Sequence, residues 1–411
     1  MLAALMGIPC AALADNVAWA EYDSATTTLT FKYADESTKP DGAFVLNAIS
    51  SYGSDGMPKS AAPDWAKNNG MVTKVVFDES FADARPETCA SWFALCSKLT
   101  DIEGLANLNT SEVRDMFCMF SGCSSLKKLD LSGLNTANVL SMKQMFMSCG
   151  ALADLNVSGF DTKNVITFQG AFQNCAALTE LDLSSFETPN ATSMQTMFNG
   201  CEALTKLDIS RLNTESVTKM KSMFNGCKAI KTLELKNFNT AEVTDFSNMF
   251  LNCTALESVD LSSFNTAEAT TFASMFNGCA ALKALDLSSF DTAKATNFSS
   301  MFNGCAALVT IYVSDSFSTA KATNSKNMFG SCSSIEGAVS FDSNKVDATM
   351  ANYTDGYFTK APSTAISAPA ADAFSADAEY YDLMGRKIIG KPGKGMVIVR
   401  KGGVSRLTIV K

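Results

Sequence analysis

One interval governs this chain. A phenylalanine returns every 26 residues, at Phe120, Phe146, Phe172, Phe198, Phe224, Phe250, Phe276 and Phe302, and once more at Phe329 after 27. Cysteine follows in phase, at Cys123, Cys149, Cys175, Cys201, Cys227, Cys253, Cys279, Cys305 and Cys332, with Cys96 opening a degenerate first copy. Between the cysteines runs a second signature, LDLSGLNT from Leu129, LDLSSFET from Leu181, LDISRLNT from Leu207, LELKNFNT from Leu233 and LDLSSFDT from Leu285. A period of this length held over so many copies means a solenoid, in which each unit packs only on its neighbours.

Each unit carries two periodicities. Leu181-Asp182-Leu183 alternates apolar and polar residues, as a short strand with one buried face does. Val217, Met220, Met223 and Phe224 follow the spacing of one helical face. Thr214 and its equivalents Thr136, Thr162, Thr188, Thr240, Thr266 and Thr292 stand where a helix N-cap hydroxyl is wanted. Asn-Gly at 199–200, 225–226, 277–278 and 303–304 supplies a left-handed stop. The fold expected is therefore an α/β repeat solenoid of leucine-rich-repeat type, with parallel strands on one face and short helices on the other. Ten units at about 4.8 Å each make a stack roughly 48 Å long.

Solenoid ends need covers. Residues 15–95, with alternation at Leu29, Phe31 and Tyr33 and a strand near Val75–Phe77, are read as a small β N-terminal cap. The solenoid is read over 96–332, and residues 333–361, where the period breaks, as the C-terminal cap. Residues 1–14, MLAALMGIPCAALA, have the apolar run and small-residue end of a secretory signal peptide; they are too short to span a bilayer. The Ala/Ser/Pro-rich stretch 362–378 reads as a linker. Residues 379–411 read as three small strands between Gly-rich turns, with 8 Lys+Arg against 2 Asp+Glu.

Composition narrows the chemistry. The chain has 411 residues and no histidine, which removes Ser-His-Asp and Cys-His catalysis and every zinc site that needs an imidazole. A net charge of −9 argues against an electrostatic grip on nucleic acid or an anionic membrane. The ladder cysteines are read as buried, unlinked thiols, because parallel side chains in an in-register stack do not converge for bridging. Cys89 and Cys118, outside the ladder, are the better pair for one local disulfide. The Met and Phe stripe (Met194, Met197, Met220, Met223) has the phase of a core rather than of a binding groove. No cofactor and no metal site is expected.

The most suggestive column is the central residue of each strand: Asp130, Asn156, Asp182, Asp208, Glu234, Asp260, Asp286 and then Tyr312. These side chains should stand one above another on the inner, concave face. Two carboxylates about 4.8 Å apart repel by roughly 0.9 kcal/mol even in water, so an acidic ladder points to a cation or a basic ligand. The competing reading is a solvated face whose carboxylates accept hydrogen bonds from hydroxyls such as Ser184 and Ser262. Asp23-Ser24-Ala25 and Asp291-Thr292-Ala293 match a short Asp-Ser/Thr-small pattern of the kind that takes O-glycosylation.

The full unit, LDLSSFNTxxVTxMxxMFNGCxAL, resembles the BspA-like bacterial surface variety of the leucine-rich repeat, clearest at 181–204, 207–230, 259–282 and 285–308. The lead-in 17–33 and 64–86 also matches. Residues 379–411 are similar to terminal sorting segments of Bacteroidetes-type exported proteins, through Tyr381-Asp382-Leu383, Gly385-Arg386 and the final strand. The resemblance implies an extracellular, surface or outer-membrane-associated protein, attached through 379–411, that adheres to host matrix proteins, receptors or other cells. An extracellular protein or glycan is then the expected partner, with no nucleic acid and no membrane insertion once the signal is removed. Two alternatives stay open, a glycan-handling accessory protein or hydrolase and a structural spacer. The repeats carry no insertion that could form a pocket, so no enzyme is expected.

Overall fold

The computed structural model describes residues 16–362, 379–381, 387–388, 395–401 and 404–410. The expected signal peptide and nearly all of the linker lie outside them. The chain divides into two compact units, Met1–Thr359 and Lys360–Lys411.

The first unit is a solenoid, but a β-solenoid. Among the described residues there is no α-helix, only five 3-10 segments, none of them within the repeats between Cys123 and Cys332. The segments expected as helices form a ladder of tight turns instead. In the coil of residues 115–123, the N–H groups of Met116, Cys118, Phe120 and Gly122 donate to the carbonyls of Ser141, Lys143, Met145 and Met147 in the next coil. The carbonyls of Asp115, Phe117, Met119 and Ser121 accept from Cys89, Ser91, Phe93 and Leu95 in the previous one. The intervening N–H groups of Met119, Ser121 and Cys123 close turns within the coil, onto Met116, Cys118 and Phe120. Every second peptide group thus lies along the stack with its C=O toward the N-terminal end and its N–H toward the C-terminal end. Aligned peptide dipoles add, as they do along a helix and do not in an ordinary sheet.

Such a ladder needs two left-handed residues four apart in each coil. They are Cys118 and Gly122, Thr196 and Gly200, Ser222 and Gly226, Ser300 and Gly304, among others. Asn-Gly does supply a left-handed glycine, at φ +76° for Gly200 and +73° for Gly226, but it turns a ladder rather than ending a helix. The helical expectation failed because the inward set Met116, Met119, Phe120 and Cys123, all fully buried, has a spacing that both structures satisfy. Short helices also lack intrinsic stability, whereas here each alternate N–H finds a partner in the neighbouring coil.

Thr214 caps no helix either. Its Oγ1 donates to the Asn239 carbonyl at 2.8 Å and accepts from the Asn239 N–H at 2.7 Å, tying one coil to the next. The turn before it is held by Asn213, whose Oδ1 accepts from the Glu215 N–H at 2.9 Å. Thr136, Thr162, Thr188, Thr240, Thr266 and Thr292 repeat the inter-coil bond.

The strand face is the weaker one. Its strands are three or four residues long and pair in parallel two by two: Lys128–Asp130 with Asp154–Asn156, Glu180–Asp182 with Lys206–Asp208, Thr232–Glu234 with Ser258–Asp260, and Ala284–Leu287 with Thr310–Val313. Within paired strands, Lys128 faces Asp154 at 2.7 Å and Lys206 faces Glu180 at 2.5 Å. At the first break, between the strands at 154–156 and 180–182, Asp154 and Glu180 stand in equivalent places with like charge.

The core is a set of columns. Phe120, Phe146, Phe172, Phe198, Phe224, Phe250, Phe276, Phe302 and Phe329 stack with ring centroids 5.4–6.0 Å apart. The Met stripe is buried, as its phase predicts.

The N-terminal cover is a five-stranded sheet. The hairpin Asn16–Asp23 and Thr28–Asp35 is antiparallel, then Lys74–Phe77 and Asp101–Glu103 join in parallel, so the sheet adopts the direction of the solenoid. Its core packs Phe31, Trp65, Phe77, Phe81 and Trp92 against Phe93. The exposed carbonyls of the first coil are met by side-chain donors. Asn47 Nδ2 reaches Ala90, Trp65 Nε1 reaches Trp92 at 2.9 Å, and Asn69 Nδ2 reaches Ala94 at 2.8 Å. At the other end the Val346 carbonyl accepts from the Phe329 N–H at 2.9 Å, and Tyr357 and Phe358 set their edges against the Phe329 ring.

The second unit is a small antiparallel sheet of four strands rather than three, in the order Lys387–Ile388, Glu379–Tyr381, Gly395–Lys401, Val404–Val410.

Candidate functional site

The acidic column lies on the exposed face of the strands, as its alternation predicts. Register places Asp130 beside Asn156, Asp182 beside Asp208, Glu234 beside Asp260, and Asp286 beside Tyr312. Each aspartate of the column already has a local task. Asp130 Oδ1 accepts from the Ser132 N–H at 3.0 Å and its hydroxyl at 2.7 Å, and Asp208 does the same with Ser210. Asp182, Asp260 and Asp286 accept from the N–H of Ser184, Ser262 and Ser288. These are Asx turns that end each strand. The Ser132 N–H and hydroxyl hold the Asp130 carboxyl below the usual carboxylate range, and the Ser210 hydroxyl and N–H do so for Asp208. Glu234 has no such turn; its nearest cation is Lys236, at 4.0 Å. Among the described residues no three His, Cys, Asp or Glu side chains gather as a metal site would require.

At the middle of the three gaps between strand pairs, where the strands at 206–208 and 232–234 do not pair, a cleft of about 540 Å³ is lined by Lys206, Asp208, Ser210, Glu234, Lys236 and Asn237. Here the repeat departs from its own rule. Most units have Asp or Asn on the strand and Ser-Ser or Ser-Gly at the corner; Arg211, Glu234, Lys236 and Asn237 break that pattern here, as Tyr312 and Asp315 do in the last unit. Asn237 Nδ2 takes the carbonyls of Ile209 and Leu212, at 3.2 and 2.8 Å, which holds the corner shut behind the cleft. The departure was visible in the sequence as four off-motif residues in successive units. Their meeting across a gap was not, because only pairing in space reveals it.

Charges around the cleft are paired between coils. Arg211 meets Glu187 at 2.6 Å, Lys228 meets Glu202 at 2.8 Å and Lys231 meets Glu257 at 3.4 Å. Exposed pairs of this kind stabilise little, about 0–1 kcal/mol each; they favour one stacking register over another.

The twelve cysteines among the described residues are free thiols. The proposed bridge between Cys89 and Cys118 is absent: Cys89 is fully buried and Cys118 lies within reach of Gln144 in the next coil. The ladder thiols work as donors. Cys149 Sγ reaches the Phe120 carbonyl at 3.1 Å, and Cys175, Cys201, Cys253 and Cys279 repeat the contact with the phenylalanine of the preceding coil. Burial pushes these thiols up, to about 12 for Cys149, Cys201 and Cys253, far from a reactive thiolate.

Thr292 of the Asp-Thr-Ala triplet is buried and bonded to the Ser318 backbone, so it offers no hydroxyl for modification; Ser24 sits in an exposed hairpin turn. Among the described residues one carboxylate is buried instead of exposed. Asp115 accepts from Ser60 Oγ at 2.8 Å and from the Phe117 N–H at 2.9 Å, pinning the hairpin at 49–60 to the first full coil. Burial raises its carboxyl above the usual range.

The profile of a family described as "Mycoplasma protein of unknown function, DUF285" matches residues 87–208, 149–233, 167–258 and 227–341, overlapping stretches that together span more than half of the chain. The chain belongs to the DUF285 family. The family is defined by the repeat itself, since the matched stretches run from just before the first peptide ladder to the C-terminal cover. No curated protein matches the chain. Among solved structures it is similar to "The Crystal structure of Pneumococcal vaccine antigen PcpA", at 13% identity over 82% of this chain and 95% of that one, with a TM-score of 0.30. No helix among the described residues is long and apolar enough to cross a membrane.

Proposed function

We propose that this DUF285 chain is a secreted or surface-displayed binding protein, an adhesin that takes an extracellular protein or glycan on its strand face and performs no chemistry. The observation that carries this reading is the cleft at Lys206, Asp208, Glu234 and Lys236. It lies at a gap between strand pairs where two successive units depart from the motif, on a face whose aspartates are held in Asx turns. The absence of histidine and the locked thiols agree with a surface that binds. Export rests on residues 1–14, and the adhesive role on the resemblance to BspA-like repeats.

The test compares the full chain with a variant returned to the motif at the cleft, Arg211→Ser, Glu234→Asp, Lys236→Ser and Asn237→Ser together. Both are assayed by solid-phase binding to immobilised matrix proteins and to a glycan array. Binding by the native chain and its loss by about tenfold, near 1.4 kcal/mol, in the variant supports the reading. Equal binding by the two moves the site elsewhere. No binding by either favours a spacer, and turnover of a glycan makes the protein an enzyme.

A further inference from the structure

Four coils carry the same five residues, Met-Phe-Asn-Gly-Cys, at 197–201, 223–227, 275–279 and 301–305. Asn-Gly is the dipeptide most open to spontaneous ring closure, because glycine has no Cβ to obstruct the approach. The glycine nitrogen loses its proton and attacks the asparagine Cγ, a C–N bond forms, and ammonia leaves. Water then opens the succinimide to aspartate or isoaspartate.

The fold holds each of these peptide groups at both ends. The Asn199 carbonyl accepts from Asn174 while the Gly200 N–H donates to Asn225 at 2.7 Å. The Asn225 carbonyl accepts from Gly200 and the Gly226 N–H donates to Leu251; the Asn277 carbonyl accepts from Asn252 and the Gly278 N–H donates to Asn303. A nitrogen whose proton is committed to the next coil cannot attack its own side chain. The fourth site keeps this backbone pattern, and its Nδ2 donates to Asn277 Oδ1 at 3.3 Å, but its C-terminal neighbour differs. The Gly304 N–H donates to Gly330 at 2.7 Å, in the last coil, and among the described residues that coil passes on a single ladder bond, from Phe329 to Val346. A solenoid opens from its ends, where a coil has one neighbour instead of two.

We propose that Asn303 is a spontaneous modification site of this protein, converted to aspartate or isoaspartate when the last coil lifts, while Asn199, Asn225 and Asn277 stay inert in the closed stack. Isoaspartate adds a carbon to the backbone at the rung it occupies, so the change prevents that rung from closing again. Identical flanking residues give the four sites the same intrinsic reactivity, and any difference between them reports the fold.

The full chain is incubated at mildly alkaline pH, digested, and each of the four Asn-Gly-Cys peptides is quantified by mass spectrometry with fragmentation that distinguishes isoaspartate. Conversion at Asn303 should exceed that at the other three by at least about tenfold in the folded protein, and the four should agree within about twofold in denaturing urea. Phe358→Ala, which takes an aromatic edge from Phe329, should speed Asn303 several-fold and leave Asn199 unchanged. The Asn199 rate also shows whether that variant is folded. Equal rates at all four sites in the folded chain, fast or slow, would overturn the proposal, as would an interior site that leads.

Discussion

At its N-terminal end the peptide column presents carbonyl oxygens, and the cover answers with donors, the amides of Asn47 and Asn69 and the indole of Trp65. At its C-terminal end the same column presents N–H groups, and the cover answers with an acceptor, the Val346 carbonyl. Because every coil points the same way, the two ends are chemically opposite and cannot share a cover. They are also unequal. One end closes over three carbonyls with a packed cluster of tryptophans and phenylalanines, the other over one N–H with Tyr357 and Phe358.

The most severe way to break this comparison is to empty each cover in turn. Trp65→Ala removes a fully buried ring and the donor to Trp92, and should cost about 3–5 kcal/mol. Phe358→Ala should cost about 3 kcal/mol by the same rule. Hydrogen exchange should localise the first loss to residues near 88–95 and the second to residues near 324–331. Exchange that spreads evenly along the stack in both variants would mean that the ends are not separate units of opening.

Thr214→Val keeps shape while removing both inter-coil bonds in the middle of the stack. It should cost about 2 kcal/mol in urea unfolding and should split exchange into two blocks on either side of 214–240. A smaller effect is expected from Asn69→Leu. The carbonyl of Ala94 loses its donor, but the buried Asn69 Oδ1, which has no partner, disappears too, so the net loss should be about 1 kcal/mol. If that variant proves as damaging as Trp65→Ala, the hydrogen bonds rather than the aromatic packing hold the first coil.

Acid should act oppositely on the N-terminal junction and on the strand face. Asp115 has a folded pKa raised by burial, so it contributes stability below its unfolded value and loses it as pH rises through the folded one. Asp208 has a depressed folded pKa, so its contribution is present above about pH 4 and is lost as pH falls through the folded value. Asp115→Asn should flatten the first dependence and Ser210→Ala the second, each checked by thermal melts across pH 3–8; neither is expected to exceed the substitutions above.

The division between what the residues announce and what they conceal follows from spacing. The columns of Phe, Cys and Met were legible because burial repeats at one position per coil. The turn ladder was not, since Met116, Met119, Phe120 and Cys123 face inward in a helix and in a ladder alike. Its sequence mark is the pair of small or polar residues four apart, such as Thr196 and Gly200, which a helix has no reason to prefer. The acidic column was legible as a column, and so was the competing use of its oxygens, since the serine two residues on recurs with each aspartate; Asp130 and Asp208 spend theirs on Ser132 and Ser210.

The ladder also frees the protein's length from its ends. Each coil gives its neighbour on one side what it receives from the other, so removing or duplicating a whole 26-residue unit leaves both covers facing the chemistry they already fit. Genes with internal repeats gain and lose copies readily, and here such a change would arrive as a finished structural increment. Chains of this kind can therefore differ in reach by whole coils while keeping the same two ends.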